Sequence, residues 1–137
     1  MKRYIKSDIS DISDEDVDTR KEAAISSRSR ISTLRRLSDD PSWEVREYLA
    51  HNKNLPEDLV IKLASDEAPV VREAIAEHPN LPRDLLLKFS DDFLPLIRLS
   101  VLYNPNVTKD IVEKALTDGD WRVEQMARSL IKKFTEE

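Results

Sequence analysis

Apolar residues in this chain fall at helical spacing, and the same arrangement returns 26 residues later. Val45, Tyr48 and Leu49, followed by Asn52, mark one short stripe, and Leu59, Val60 and Leu63 mark a second. Steps of three and four residues are the signature of an amphipathic helix, and no stretch shows the alternation of a half-buried strand. The second stripe recurs as Leu85, Leu86 and Phe89, then as Ile111, Val112 and Ala115. At the head of the first stripe, Trp43, Val45 and Arg46 become Pro69, Val71 and Arg72, then Pro95, Ile97 and Arg98, then Trp121, Val123 and Glu124. A fixed period of this size predicts an all-α solenoid of about four to five two-helix units, each packing on its neighbours. One longer stripe, Val123, Met126, Ala127, Leu130, Ile131 and Phe134, closes the series as a cap helix.

Punctuation between the stripes sets the boundaries. Asp40-Pro41 reads as a helix N-cap followed by proline at the first helical position, with the helix running to about Asn52. The turns read Asn52-Lys53-Asn54-Leu55-Pro56, His78-Pro79-Asn80-Leu81-Pro82 and Asn104-Pro105-Asn106-Val107-Thr108. Proline there cannot continue a helix. The second helix opens at Pro56-Glu57-Asp58 and its equivalents, with acidic groups suited to the helix dipole. A degenerate copy precedes these, with Arg20 one period before Arg46, and Leu34 and Leu37 before Val60 and Leu63. The division expected is an acidic, flexible lead-in over 1–19 and one solenoid domain over 20–137. Within the latter, 20–38 form an N-terminal cap, 39–120 the core repeats and 121–137 the C-terminal cap.

The unit Leu63-Ala64-Ser65-Asp66-Glu67-Ala68-Pro69-Val70-Val71-Arg72-Glu73-Ala74-Ile75-Ala76-Glu77-His78-Pro79-Asn80-Leu81-Pro82 resembles the leucine-rich repeat variant family. The shared features are the Leu-Ala-x-Asp opening, the Val-Arg-x-Ala-x-Ala helix and the Asn-Pro-like turn with a second proline. The likeness covers about residues 34–127 and is similar also to HEAT repeats, whose units are longer. It implies a right-handed α-superhelix, with one helix of each unit short or 3₁₀, serving as a scaffold with no fixed substrate. Tyr48-Leu49, where small residues are usual, and Glu124, in place of the arginine, depart from the pattern.

Composition narrows the function classes. The chain has 137 residues, a formal net charge of −5, and 39% hydrophobic against 36% charged residues, which suits a structure with much exposed face. Without cysteine there are no disulfides, thiolate metal sites or thiol nucleophiles. No apolar run approaches the roughly 18 residues of a membrane span, and Met1-Lys2-Arg3-Tyr4-Ile5-Lys6 lacks the apolar core of a secretory signal. A cytoplasmic location is expected. From Asp8 to Asp18 there are six acidic residues and no basic one, whereas Arg20 to Arg36 is predominantly basic.

Candidate sites divide into residues that repeat and residues that do not. The pairs Asp40/Arg46, Asp66/Arg72 and Asp92/Arg98 have the chemistry of an anion ladder. Their presence in unit after unit instead favours arginines bridging aspartates of their own and the adjoining repeat through forked hydrogen bonds. Asn54, Asn80 and Asn106 are expected to satisfy turn backbone groups. His51 and His78 occupy different repeat positions and lack partners at metal-ligand spacing, so no metal, cofactor or catalytic residue is assigned. Arg35-Arg36-Leu37-Ser38 has the look of a basic kinase substrate, discounted because Leu37 is a core position.

The pattern breaks in the third repeat. Phe93, Leu94, Leu96 and Leu99 stand where the previous unit has Glu67, Ala68, Val70 and Glu73, and Tyr103 stands where it has Glu77. They form either a partner-binding or self-association patch or a surface that Leu130 to Phe134 covers. Arg28, Arg30, Arg35 and Arg36 form a candidate basic patch. The reading is a non-enzymatic scaffold that binds another protein, or itself, chiefly through the third repeat, with no membrane and no small-molecule substrate. The alternatives are a nucleic-acid-associated module with a basic groove and a small inhibitor or immunity-type protein.

Overall fold

The computed structural model describes Ile12 and residues 15–135. Among these the chain forms helices and no strands: α1 (Val17–Ile25), α2 (Ile31–Leu37), α3 (Trp43–Ala50), α4 (Glu57–Leu63), α5 (Pro69–Ala76), α6 (Arg83–Phe89), α7 (Pro95–Leu102), α8 (Lys109–Ala115) and α9 (Trp121–Thr135). None of these is long and apolar enough to cross a membrane. Helices of seven to nine residues are too short to persist alone, so packing must hold them. The odd-numbered helices pack in series, α1 on α3, α3 on α5, α5 on α7 and α7 on α9, and each even-numbered helix packs on the odd one that follows.

One continuous core runs through the stack. Val45 and Leu49, Val71 and Ile75, Ile97 and Val101 face inward from the odd helices. Leu59, Val60 and Leu63, Leu86 and Phe89, and Ile111 and Val112 do so from the even ones. Along α9, Val123 and Ala127 are buried, while Met126, Leu130, Ile131 and Phe134 lie half-buried against the core. Tyr48, expected in the inward stripe, is exposed instead, with the Lys21 ammonium 4.7 Å from its ring centre. The inward face of α3 runs through Val45, Arg46, Leu49 and Ala50 instead.

Two boundaries also differ. α3 starts at Trp43, with Ser42 at the cap position, so Pro41 lies outside the helix. Asp40 acts one step earlier: its Oδ1 accepts the Ser42 N–H at 2.9 Å, an aspartate-stabilised turn that feeds the helix. The same bond recurs from Asp66 to Ala68 N–H and from Asp92 to Leu94 N–H, both at 2.9 Å. The helix ends at Ala50 rather than Asn52, because Asn52 turns inward and is buried. The lead-in expected through residue 19 overlaps α1, whose Asp16 caps the Thr19 N–H at 2.7 Å, and Ile12 is buried in the core. The rest of that segment, 1–11 and 13–14, lies outside the described residues.

Candidate interaction surface

Repeated polar residues knit neighbouring units together in two columns. In the first, Arg46 Nε donates to Asp66 Oδ2 at 2.7 Å and a second nitrogen to Oδ1 at 3.2 Å, while Nη1 donates to the Asp40 carbonyl at 2.7 Å. Arg20 grips Asp40 and the Glu15 carbonyl in the same way, and Arg98 grips Asp118 and the Asp92 carbonyl. Each arginine therefore joins the next unit's carboxylate to its own unit's backbone. The forked contact raises the arginine pKa values and holds the Asp118 carboxyl below its usual range.

The column has one gap and one end. Arg72 donates to the Asp66 and Glu67 carbonyls at 2.6 and 3.1 Å, yet among the described residues it makes no ion pair with Asp92. At the last equivalent position Glu124 stands in place of the arginine. Its carboxylate turns back to accept the Gly119 N–H at 2.8 Å, and Gly119 has φ +104°, a conformation that favours glycine.

The second column was not legible as such from the turns. Asn52 Nδ2 donates to the Ala24 and Ser26 carbonyls at 2.8 and 3.1 Å, and Asn104 to those of Ala76 and His78 at 2.8 and 3.0 Å. His78 fills the slot between them. Its Nε2 lies 2.8 Å from the Asn52 carbonyl, and its Nδ1 accepts the Asn80 N–H at 3.0 Å, which fixes a neutral ring with the proton on Nε2. Burial pushes its pKa down, the Asn52 carbonyl opposes this, and the charges of His51 and Lys53 add to the lowering. Asn54, Asn80 and Asn106 reach the carbonyls of Ser27, Leu55 and Pro79, serving the preceding unit's backbone rather than their own turn.

These columns are occupied by structural bonds. The candidate basic patch lies at the surface: Arg28, Arg30, Arg35 and Arg36 are exposed, and Arg35 pairs with Asp58 at 2.6 Å. Ser38, beside it, is buried, with its hydroxyl bonded to the Arg35 carbonyl. Elsewhere Arg83 pairs with Asp110 at 3.1 Å.

The third-repeat residues separate into two groups. Phe93, Tyr103 and Leu96 are 91%, 54% and 44% exposed, whereas Leu94 and Leu99 are half-buried against the core. Leu130 and Phe134 share a hollow with Tyr103 but leave Phe93, Leu96 and Tyr103 open. Trp121, 70% exposed, extends the apolar surface onto α9. With Met126, Leu99 and Tyr103 it lines a hollow of about 420 Å³. Sequence reasoning assigned Trp121 and Met126 to a cap and missed this. The available signal was that both stand one period after Pro95 and Ser100, on the same helix series as Leu99.

Comparison with family models, curated proteins and solved structures finds no match to this chain. The surface is therefore interpreted from its own chemistry: large apolar groups facing solvent on adjacent helices, with open hollows between them.

Proposed function

We propose that this protein is a non-enzymatic helical-repeat scaffold that docks another protein on the outer side of α7 and the start of α9. The architecture inferred with it is a right-handed α-solenoid of about four to five 26-residue units, similar to the leucine-rich repeat variant family. Support for the solenoid is the serial packing of odd helices and the repetition of the arginine and asparagine columns from unit to unit. The observation that carries the functional reading is the exposure of Phe93, Leu96, Tyr103 and Trp121 on or beside α7 and α9, with Tyr103 and Trp121 lining one hollow. Contiguous large apolar groups in water mark a surface awaiting a partner.

The experiment is affinity capture from cell lysate with wild type and a Phe93→Asp/Leu96→Asp variant, each with and without nuclease. Both side chains are exposed, so the variant should keep its helical circular dichroism while losing the captured protein. Capture that nuclease abolishes, or that the variant retains, contradicts the reading. A nucleic-acid role is less well supported because Arg35, Arg83 and Arg98 are each committed to a carboxylate within the fold.

A further inference from the structure

The odd helices and the residues that close them place equivalent positions in lines that run along the stack, one residue from each. One line reads Lys21, Glu47, Glu73, Leu99 and Gln125, and its neighbour reads Ile25, His51, Glu77, Tyr103 and Ser129. Along both, the middle of the stack is acidic and the next helix is apolar. Tyr103 is the junction. It lines the hollow shared with Leu99, Trp121 and Met126, and also a second hollow, about 370 Å³, shared with His51, Lys53 and Glu77.

The acidic half is not closed by ion pairs among the described residues. Glu44, on α3, has Lys21 at 3.8 Å, and Glu124 has Arg128 at 3.6 Å. Glu47, Glu73 and Glu77 have no ion-pair partner among the described residues. Glu73 is half-buried, and its carboxyl is pushed above the usual range by burial, then by the charges of Glu47 and Glu77. Of the cations lining these hollows, Arg122 holds Asp120 at 2.9 Å, Lys53 lines the hollow of Glu77, and Lys133 lines one with Tyr103 and Phe134. Any apolar occupant settling beside these carboxylates would strip water from them, and that is unfavourable unless it brings positive charge.

Resting on the docking role proposed above, we propose that the occupant is a basic amphipathic segment of another protein. Its apolar side seats on Leu96, Leu99, Tyr103 and Trp121, and its lysines or arginines meet Glu47, Glu73 and Glu77. Helices packed roughly 8–10 Å apart put about 20 Å between the α3 and α7 positions, a span of some four helical turns. A second copy fits poorly, because a two-fold pairing of this face would lay carboxylates on the partner's apolar half without adding cations. A nucleic acid would bring phosphate to the acidic half.

The probe is a fluorescein-labelled leucine–lysine amphipathic peptide of about 18 residues, long enough to cover this span, with a leucine–glutamate peptide of equal length beside it. Fluorescence anisotropy should show saturable binding of the lysine peptide to the full chain and none of the glutamate peptide. Glu47→Gln/Glu73→Gln/Glu77→Gln should weaken binding at least about tenfold. Glu57→Gln/Asp84→Asn/Glu113→Gln, with the same loss of charge on the even helices, should change it less than about twofold. Equal losses in the two triples, or equal binding of the two peptides, overturn the basic-segment assignment. A dimer of the chain alone in sedimentation that the lysine peptide cannot dissociate makes a second copy the occupant and overturns it as well. Leu96→Ser/Tyr103→Ser separates this proposal from the reading beneath it. If that variant abolishes binding of both peptides, the docking face stands and its basic preference falls. If it affects neither peptide, the docking face itself falls.

Discussion

Asp66 and Asp92 occupy the same slot in successive units and make the same turn bond, yet one carries an arginine and the other does not. Replacing each with alanine isolates what the arginine bridge contributes. In Asp92→Ala the loss is one acceptor for the Leu94 N–H at 2.9 Å, a cost of about 1 kcal/mol. Asp66→Ala loses the equivalent Ala68 bond and also strands the Arg46 guanidinium, whose side chain is only 11% exposed. Removing one partner of a buried ion pair costs about 3–5 kcal/mol, because the remaining charge keeps its desolvation penalty without its counter-charge. The two variants should therefore differ by about 2 kcal/mol or more. Urea unfolding at neutral pH measures this, followed by circular dichroism at 222 nm and by Trp43 and Trp121 fluorescence together. Stacked units can unfold in segments, so coincident curves are needed before free energies are compared. Costs equal within about 0.5 kcal/mol would show that the forked contact adds nothing beyond the turn bond, and the account of what joins the units would be wrong.

His78 supplies a pH test. Its pKa in the fold lies below the ordinary value, so the unfolded chain takes up a proton that the folded chain resists. Its contribution is complete above the unfolded value of about 6.5 and declines as pH falls below it. His78→Asn, which restores the residue found at Asn52 and Asn104, should reduce the drop in Tm between pH 7.5 and 5.5; an unchanged drop refutes this. Glu73 works in the opposite sense: its raised carboxyl pKa means that ionisation opposes folding at neutral pH, and the penalty fades as pH falls through that pKa. Glu73→Gln should raise stability at pH 7 by about 0.2–0.5 kcal/mol, the scale of a like-charge i,i+4 helix pair, with the gain shrinking towards pH 4 in urea titrations. Gly119→Ala meets no atom within 4 Å of the added Cβ, so its cost, about 1–3 kcal/mol in thermal unfolding, is that of φ +104° alone.

Much of the helical fold was legible because the same constraints recur from one copy of the pattern to the next. Leu59, Val60 and Leu63 had to face inward in each copy, and the aspartates and arginines that recur are tied to neighbouring units. What periodicity could not supply was direction and reach. Spacing alone could not show that Asn52 and Asn104 bond 26 to 28 residues back along the chain. Nor could it show that His78, with different atoms, fills the intervening slot. Arg72 shares the Val-Arg-Glu triplet of Arg46 and, among the described residues, still makes no ion pair with Asp92. The third-repeat substitutions, on and beside α7, merged two kinds of residue. Leu94 and Leu99 reach the core, while Phe93, Leu96 and Tyr103 do not. Trp121 and the uncompensated Glu47, Glu73 and Glu77 join that surface only when the odd helices are laid side by side.

The central claim is that the surface around Phe93 and Tyr103 is where a partner protein sits. Site-specific photocrosslinking tests it most directly, with p-benzoylphenylalanine placed singly at Phe93, Tyr103 or the exposed Ile61 of α4. All three sites accept a large side chain without disturbing the core, and irradiation in cells traps what each touches. The account predicts a discrete protein adduct from positions 93 and 103 and none from 61. An adduct from 61 alone, or none from 93 and 103, would contradict it.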